Sequence, residues 1–235
     1  MSLKSKQTAI VMLGASGAVG TETLQALLQL KSIPKLTVLG RSPIPNISDT
    51  AVQQHKINIM DVSSYQNFLK GHTAAICTLG VGEPSKISKE EFIKIDKTAV
   101  LDFAVACKNA GVSHFELLSS VDISPTSKSF YLRVKGELVA ALKALNFERL
   151  SIFQPSMILT PTNRYGIAQA ITLKVWPLLK PLFVGRFRKY RGIPVQVLGQ
   201  AMAKNIFKKS NSFEQLQWDE FYAISEKGIS KLVSL

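Results

Sequence analysis

Short apolar runs alternate with segments whose apolar residues recur every three or four positions, and this rhythm holds from the first strand to about Pro155. TAIVML (residues 8–13) is continuously apolar, as a strand buried on both faces requires. A glycine-rich turn follows, and TETLQALLQL then carries its apolar residues on one helical face. LTVLG, KINIM and TAAICTLG read as the second, third and fourth strands. From Ser88 to Asn109 the spacing returns to three and four, and the pattern stops at Gly111, as a helix should. HFELLSS is a fifth strand, the next helix runs to about Leu145, and LSIFQP is a sixth strand stopped by Pro155. Strands alternating with helices predict an α/β fold: a doubly wound parallel sheet with right-handed crossovers and helices on both faces. After Pro155 the alternation fades and prolines accumulate, so residues 155–235 are expected to form a small lobe over the sheet edge.

Composition narrows the class. With 235 residues, 46% hydrophobic and 19% charged, the chain has material for one large α/β domain with a proper core. MSLKSKQTAI lacks the hydrophobic region of a signal peptide, and ITLKVWPLLKPLFV is too short and too broken by lysines and prolines to span a bilayer. Cys77 sits in a strand-like run and Cys107 in a helical pattern, so both read as reduced packing residues of a cytoplasmic protein. His55, His72 and His114 have no ligand spacing, and no metal site is expected.

A net charge of +13 asks for a reason: nucleic acid, an anionic membrane or a phosphate-rich ligand. The densest cluster, GRFRKYRG, mixes Arg186, Arg188, Lys189 and Arg191 with Phe187 and Tyr190. Such interleaving can bind single strands, but a solvated loop after an amphipathic helix accounts for it more simply, and nucleic acid is not an expected partner.

The turn between the first strand and the first helix carries the first chemistry. Gly14-Ala15-Ser16-Gly17-Ala18-Val19-Gly20 is a GxxGxxG pattern at the place of a dinucleotide fingerprint. Gly14 permits the tight turn, Gly17 lets backbone N–H groups approach a pyrophosphate, and Gly20 allows helix to pack on strand. The helix N-terminus adds partial positive charge. Residues 1–154 are therefore expected to be a dinucleotide-binding core, with residues 155–235 its substrate-side lobe in a single Rossmann-type domain. About twenty residues on, an NAD-binding protein places an acid for the ribose; LTVLGRS offers Arg41 instead, followed by Ser42. A guanidinium pairs with a 2′-phosphate and stacks on adenine, so the cofactor reads as NADP(H). Asp61 is expected to meet the adenine amino group, and Leu79, Gly80 and Ile158 to run beside the dinucleotide.

SKSFYLRVKGE (127–137) sets Tyr131 and Lys135 one helical turn apart, after a strand that ends in Ser119 and Ser120. With this order the chain resembles the short-chain dehydrogenase/reductase superfamily, most nearly its atypical branch around the Tat-interacting oxidoreductase and its bacterial relatives. GASG, GR at the second strand end, HFELLSS, YLRVKGE and SIFQP carry the resemblance along nearly the whole chain. It implies an NADPH-binding reductase of small carbonyl compounds, with Tyr131 as proton donor or acceptor and Lys135 and a serine beside it. Lys135 would favour the phenolate and hold ribose hydroxyls. Ser120, with Ser119 as the alternative, would hydrogen-bond the carbonyl oxygen. The resemblance further implies that Ser119, Tyr131 and Lys135 border the cofactor and that Arg164 closes over it. Asp96 stands where many members carry a relay asparagine, so that relay departs from the pattern here.

GASGAVGTE also resembles semialdehyde dehydrogenases, but those need a reachable cysteine nucleophile, and neither Cys77 nor Cys107 is so placed. A reading from another class remains: a redox-sensing module whose NADP(H) occupancy controls a protein or nucleic-acid partner. The Ser, Tyr and Lys set favours the enzyme. Monomer and homo-oligomer stay equally open.

Overall fold

Strand β1 (Ala9–Leu13) is buried along its whole length, and its side chains divide between two cores. Ile10 and Met12 enter one apolar cluster, while Val11 and Leu13 enter a second on the opposite face. That is why the run shows no polar alternation: both faces of the strand are covered. Each fully buried aliphatic side chain contributes roughly 1.5–3 kcal/mol. The computed structural model describes residues 8–30, 33, 35–47, 52–161, 183–210 and 212–228.

Around β1 lie β2 (Lys35–Gly40), β3 (Val52–Lys56), β4 (Ala74–Cys77), β5 (His114–Leu118), β6 (Arg149–Phe153) and β9 (Phe213–Leu216). They form one seven-stranded sheet in the order β3-β2-β1-β4-β5-β6-β9. Every neighbouring pair is parallel. Strand order reverses between β1 and β4, and a crevice at the carboxyl ends of the strands follows from that reversal. Two short strands, β7 (Ile158–Leu159) and β8 (Ile193–Pro194), pair outside the main sheet.

Helix α1 (Ala18–Gln29) and helix α5 (Val195–Asn205) cover one face with α6 (Trp218–Ser225). The other face carries α2 (Lys89–Ile93), a π-helical stretch at Lys94–Ala99, α3 (Val100–Asn109) and α4 (Phe130–Ala144). The segment read as one long helix is thus continuous but widened in its middle. Ser88 caps it, its Oγ accepting from the Glu91 N–H at 3.1 Å, with Glu90 and Glu91 favouring the positive end.

Two elements differ from the sequence reading. The third strand is Val52–Lys56, not KINIM. It is the sheet's edge, partly exposed, so it needs no apolar run, and its Gln and Lys side chains suit an unpaired border. The segment after Pro155 does more than form a lobe, because β9 pairs with β6 and α5 packs on α1. That crossing is close at Gly199, where a Cβ would lie 2.6 Å from Glu22 Cβ. Among the described residues no helix is long and apolar enough to cross a membrane.

Candidate active site

Two adjoining clefts, of about 250 Å³ and about 590 Å³, run along the carboxyl ends of β1, β2, β4 and β5. Gly17, Thr78, Leu79 and Gly80 line both, so they form one groove across the reversal point.

The glycine turn makes its floor. Gly14 has φ +91°, and a Cβ there would fall 2.5 Å from Leu79 N, so the turn lies directly on the end of β4. Thr78 Oγ1 donates to the Gly14 carbonyl at 3.0 Å and fastens the two. Sequence reasoning missed Thr78; its only signal is a hydroxyl at the end of an apolar strand. The N-cap of α1, Gly17, supplies no capping side chain, and the first turn carries no acid. First-turn N–H groups left so at the groove fit an anion.

Arg41 and Ser42, both exposed at the end of β2, line the smaller cleft with Ile44 and Ile59. Asp61 does not. Its carboxylate caps a short 3₁₀ turn, accepting from the Ser63 N–H at 3.0 Å and from Ser63 Oγ at 2.6 Å. Both contacts fall on Asp61 Oδ1, which turns the carboxylate toward its own turn, and Ile59 rather than Asp61 lines the groove, where the sequence placed Asp61 beside the adenine.

The larger cleft gathers Tyr131, Lys135, Asp96, Ser119 and Ile158. Tyr131 lies in the first turn of α4, half-buried, with its ring 5.5 Å from that of Phe92. Lys135, one turn on, is buried and pairs with Asp96 Oδ1 at 2.7 Å. Burial opposes its charge, but the Asp96 carboxylate and the Tyr131 oxygen outweigh that and hold its pKa above the usual lysine value. The other Asp96 oxygen accepts the Val81 N–H at 2.8 Å.

The two serines part company here. Ser119 lines the cleft, and its buried hydroxyl has no partner among the described residues, although its backbone N–H donates to the Phe153 carbonyl at 2.8 Å. Ser120, the first choice from sequence, lies outside the lining and is less deeply buried than Ser119. Ala18 and Val19 also line this cleft, whereas Gly20 packs beneath it, where a Cβ would meet the Gly14 carbonyl at 2.2 Å. Arg164 falls outside the described residues. Burial pushes the Cys77 thiol up to about 12 and the Cys107 thiol well above its usual value, so neither offers a thiolate.

The basic cluster is largely engaged within the chain. Lys189 and Tyr190 bond to Asp122, Arg188 pairs with Asp219, and Arg191 Nε donates to the Phe183 carbonyl at 2.8 Å.

Comparison with known proteins assigns the class. The chain belongs to the NAD(P)H-binding family, whose model matches residues 14–149. It is similar to HTATIP2 of Rattus norvegicus, 28% identical over 205 residues, which are 86% of this chain and 83% of that protein. It is also similar to the mitochondrial protein FMP52 of Meyerozyma guilliermondii, 32% identical over 174 residues, 72% of this chain and 74% of the other. Among solved structures, MoeE5 in complex with UDP-glucuronic acid and NAD superposes with a TM-score of 0.68 at 15% identity, covering 88% of this chain and 75% of that one. The UDP-glucose 4-epimerase of Thermus thermophilus in complex with NAD gives 0.67 at 14% identity, covering 93% and 81%. These two share the fold. The resemblance to the short-chain dehydrogenase/reductase superfamily and its Tat-interacting branch stands, and the fold is an NAD(P)H-binding one. The cytoplasmic expectation does not stand, because the FMP52 relatives are named as mitochondrial proteins. Reduced cysteines report a reducing environment, which is a statement about redox state and not about an address.

Proposed function

We propose that this protein is an NADPH-dependent oxidoreductase that reduces a small, largely apolar carbonyl compound. One observation carries the reading: Tyr131, Lys135 and the Ser119 hydroxyl, which has no partner among the described residues, line one cleft, and that cleft continues into the glycine-turn groove.

The residues fit the cofactor. The uncapped first turn of α1 suits a pyrophosphate, and Arg41 with Ser42 suits a 2′-phosphate. Lys135, beside Gly80, suits ribose hydroxyls, and Ile158 and Val19 offer apolar walls. When bound, NADPH supplies the hydride. The chain handles the rest. Ser119 Oγ donates a hydrogen bond to the substrate carbonyl oxygen and steadies it as negative charge develops. The Tyr131 hydroxyl gives its proton to that oxygen as the alcohol forms. The resulting phenolate sits near the Lys135 ammonium, whose nitrogen is 6.0 Å from the ring centre, and regains a proton from water through the open groove.

The substrate side is apolar. Pro84, Phe92, Phe130 and Tyr131 share a second hollow that adjoins the larger cleft at Pro84, Ser85 and Tyr131. Its rings favour an aryl or branched body on the carbonyl. The test is NADPH and NADH consumption with a panel of aldehydes, ketones and quinones. Turnover of at least one member, faster with NADPH, is the expected result. A protein that binds NADPH tightly and turns over none of the panel would defeat the proposal.

A further inference from the structure

Asp96 is 1% exposed, yet it carries a carboxylate that ends on the same cleft as Tyr131 and Lys135. It belongs to the π-helical stretch Lys94–Ala99, where the wider turn changes which side chains face inward. Two successive residues of that stretch reach α4: Asp96 meets Lys135 at 2.7 Å, and Lys97 meets Glu137 at 2.7 Å. The second pair is partly exposed and contributes little. The first is buried, and burying two charges costs several kcal/mol per ion before their attraction offsets it. An apolar pair would serve stability as well, so stability does not explain it.

Its geometry does. The two Asp96 oxygens take different donors: Oδ1 takes the Lys135 ammonium, and Oδ2 takes the Val81 N–H at 2.8 Å. Val81 follows Leu79 and Gly80, which line both halves of the groove. A Cβ on Gly80 would stand 3.1 Å from Asp96 Oδ1 and 3.7 Å from Lys135 Nζ, so backbone, carboxylate and ammonium touch at one point.

We propose that Asp96 is a positioning residue: a single carboxylate fixes the Lys135 ammonium and the Gly80–Val81 backbone together, and its charge keeps the buried Lys135 protonated beside Tyr131. The roles of Lys135 and Tyr131 rest on the proposed function. Among the described residues, the groups that face Lys135 are Asp96 from the π stretch, Tyr131 from α4 and Cys77 from β4. Cys77, pushed up to about 12 by burial, stays neutral, which leaves Asp96 as the charge beside the ammonium.

Asp96→Asn keeps the shape but removes the charge and one of the two acceptors. With burial no longer offset by the carboxylate, Lys135 in the ligand-free protein should lose its proton at a pH lower by about one unit or more. Carbon-13 NMR of labelled lysine Cε reads this titration, the signal being assigned by its absence in Lys135→Met. On any substrate found, kcat at neutral pH should fall on the order of 10²-fold, because ammonium and backbone are no longer held in one geometry. The alkaline limb of the kcat profile should move down with the Lys135 ammonium. An unchanged titration together with a native pH profile would show Asp96 to be only a structural partner and overturn the inference. Asp96→Glu keeps the charge and displaces it. It should leave the titration near that of wild type and still lower kcat, and native turnover in that variant would also overturn the inference. If the wild type reduces no carbonyl compound, the proposed function fails, yet the ligand-free titration still decides the charge role of Asp96.

Discussion

Two clusters of charged side chains are buried in this molecule, at opposite ends of the sheet, and they are completed differently. At the carboxyl ends, Asp96 and Lys135 satisfy each other beside an open groove, and the Ser119 hydroxyl next to them has no partner among the described residues. At the amino ends of β5 and β6, Arg149 is surrounded. Its guanidinium donates to Glu214 Oε1 at 2.6 and 3.1 Å, to the Asn205 carbonyl at 2.9 Å and to Asn205 Oδ1 at 2.9 Å. Ser151 Oγ donates to Glu214 at 2.6 Å, and Asn205 Nδ2 donates to Glu116 Oε1 at 2.8 Å. Burial opposes ionisation of Glu214, but the Arg149 charge and the Ser151 and Ser210 hydroxyls outweigh it and hold the carboxyl down to about 2. Burial pushes Glu116 up to about 8 and His114 well below its usual value. Burial thus disfavours the charged form of each, so their 3.6 Å approach adds little as an ion pair. Glu116 Oε2 has no partner among the described residues.

The difference teaches where chemistry is available. The Arg149 network, Glu116 Oε2 aside, is satisfied within itself and holds β9 and α5 to the sheet. The Asp96–Lys135 pair borders space, and an unmatched hydroxyl beside that space is a hydrogen bond waiting for a ligand. Substitutions in the first cluster should therefore change stability, and substitutions in the second should change turnover.

The largest effect expected is on turnover. Tyr131→Phe removes only a hydroxyl at a half-buried site and should lower kcat by about 10²–10⁴-fold while melting temperature and NADPH affinity hold. Steady-state rates beside a thermal melt check this; native turnover would erase the contrast between the clusters. Next comes Arg149→Ala, which removes the buried guanidinium and leaves Glu214 with Lys208 at 3.0 Å as its remaining cation, and should cost about 3 kcal/mol in denaturant unfolding. NADPH affinity measured well below the melting temperature should survive, and a loss there would tie the two clusters together. Arg41→Ala should weaken NADPH binding about tenfold and leave NADH binding alone, because a phosphate contact at an exposed arginine is partly screened. Calorimetric titration with both nucleotides decides it. Glu116→Gln comes last. The native carboxyl, with an ordinary value of 4.5 raised to about 8 by burial, contributes stability that is full below 4.5 and lost as pH rises through about 8. Glutamine has no such proton to lose. The variant should therefore gain on wild type as pH rises from 4 to 9, as melts at the two values would show.

How much of this was legible depended on whether local pattern and tertiary role agree. TAIVML, TAAICTLG and LSIFQP are buried strands and read as such, because strands covered on both faces must be apolar. Val52–Lys56 and Phe213–Leu216 are edge strands with polar residues, and their partners alone make them strands. Asp61 has the composition of a ligand-binding acid, but its own turn absorbs it. Ser119 and Ser120 are equivalent in a string of letters, and only the folded chain at the end of β5 tells them apart.

By itself, the sequence determined that the chain folds as a doubly wound sheet, that a glycine turn opens its first helix, and that Tyr131 and Lys135 share a helical face, because these follow from covalent geometry and local periodicity. Tertiary structure alone decided that Asp96 would reach Lys135 and Val81 at once, that Ser119 would face the groove with no partner among the described residues, and that Arg149 would join β9 and α5 to the sheet. These are contacts between residues 15 to 65 positions apart, and their charges are set by burial, which no local pattern records.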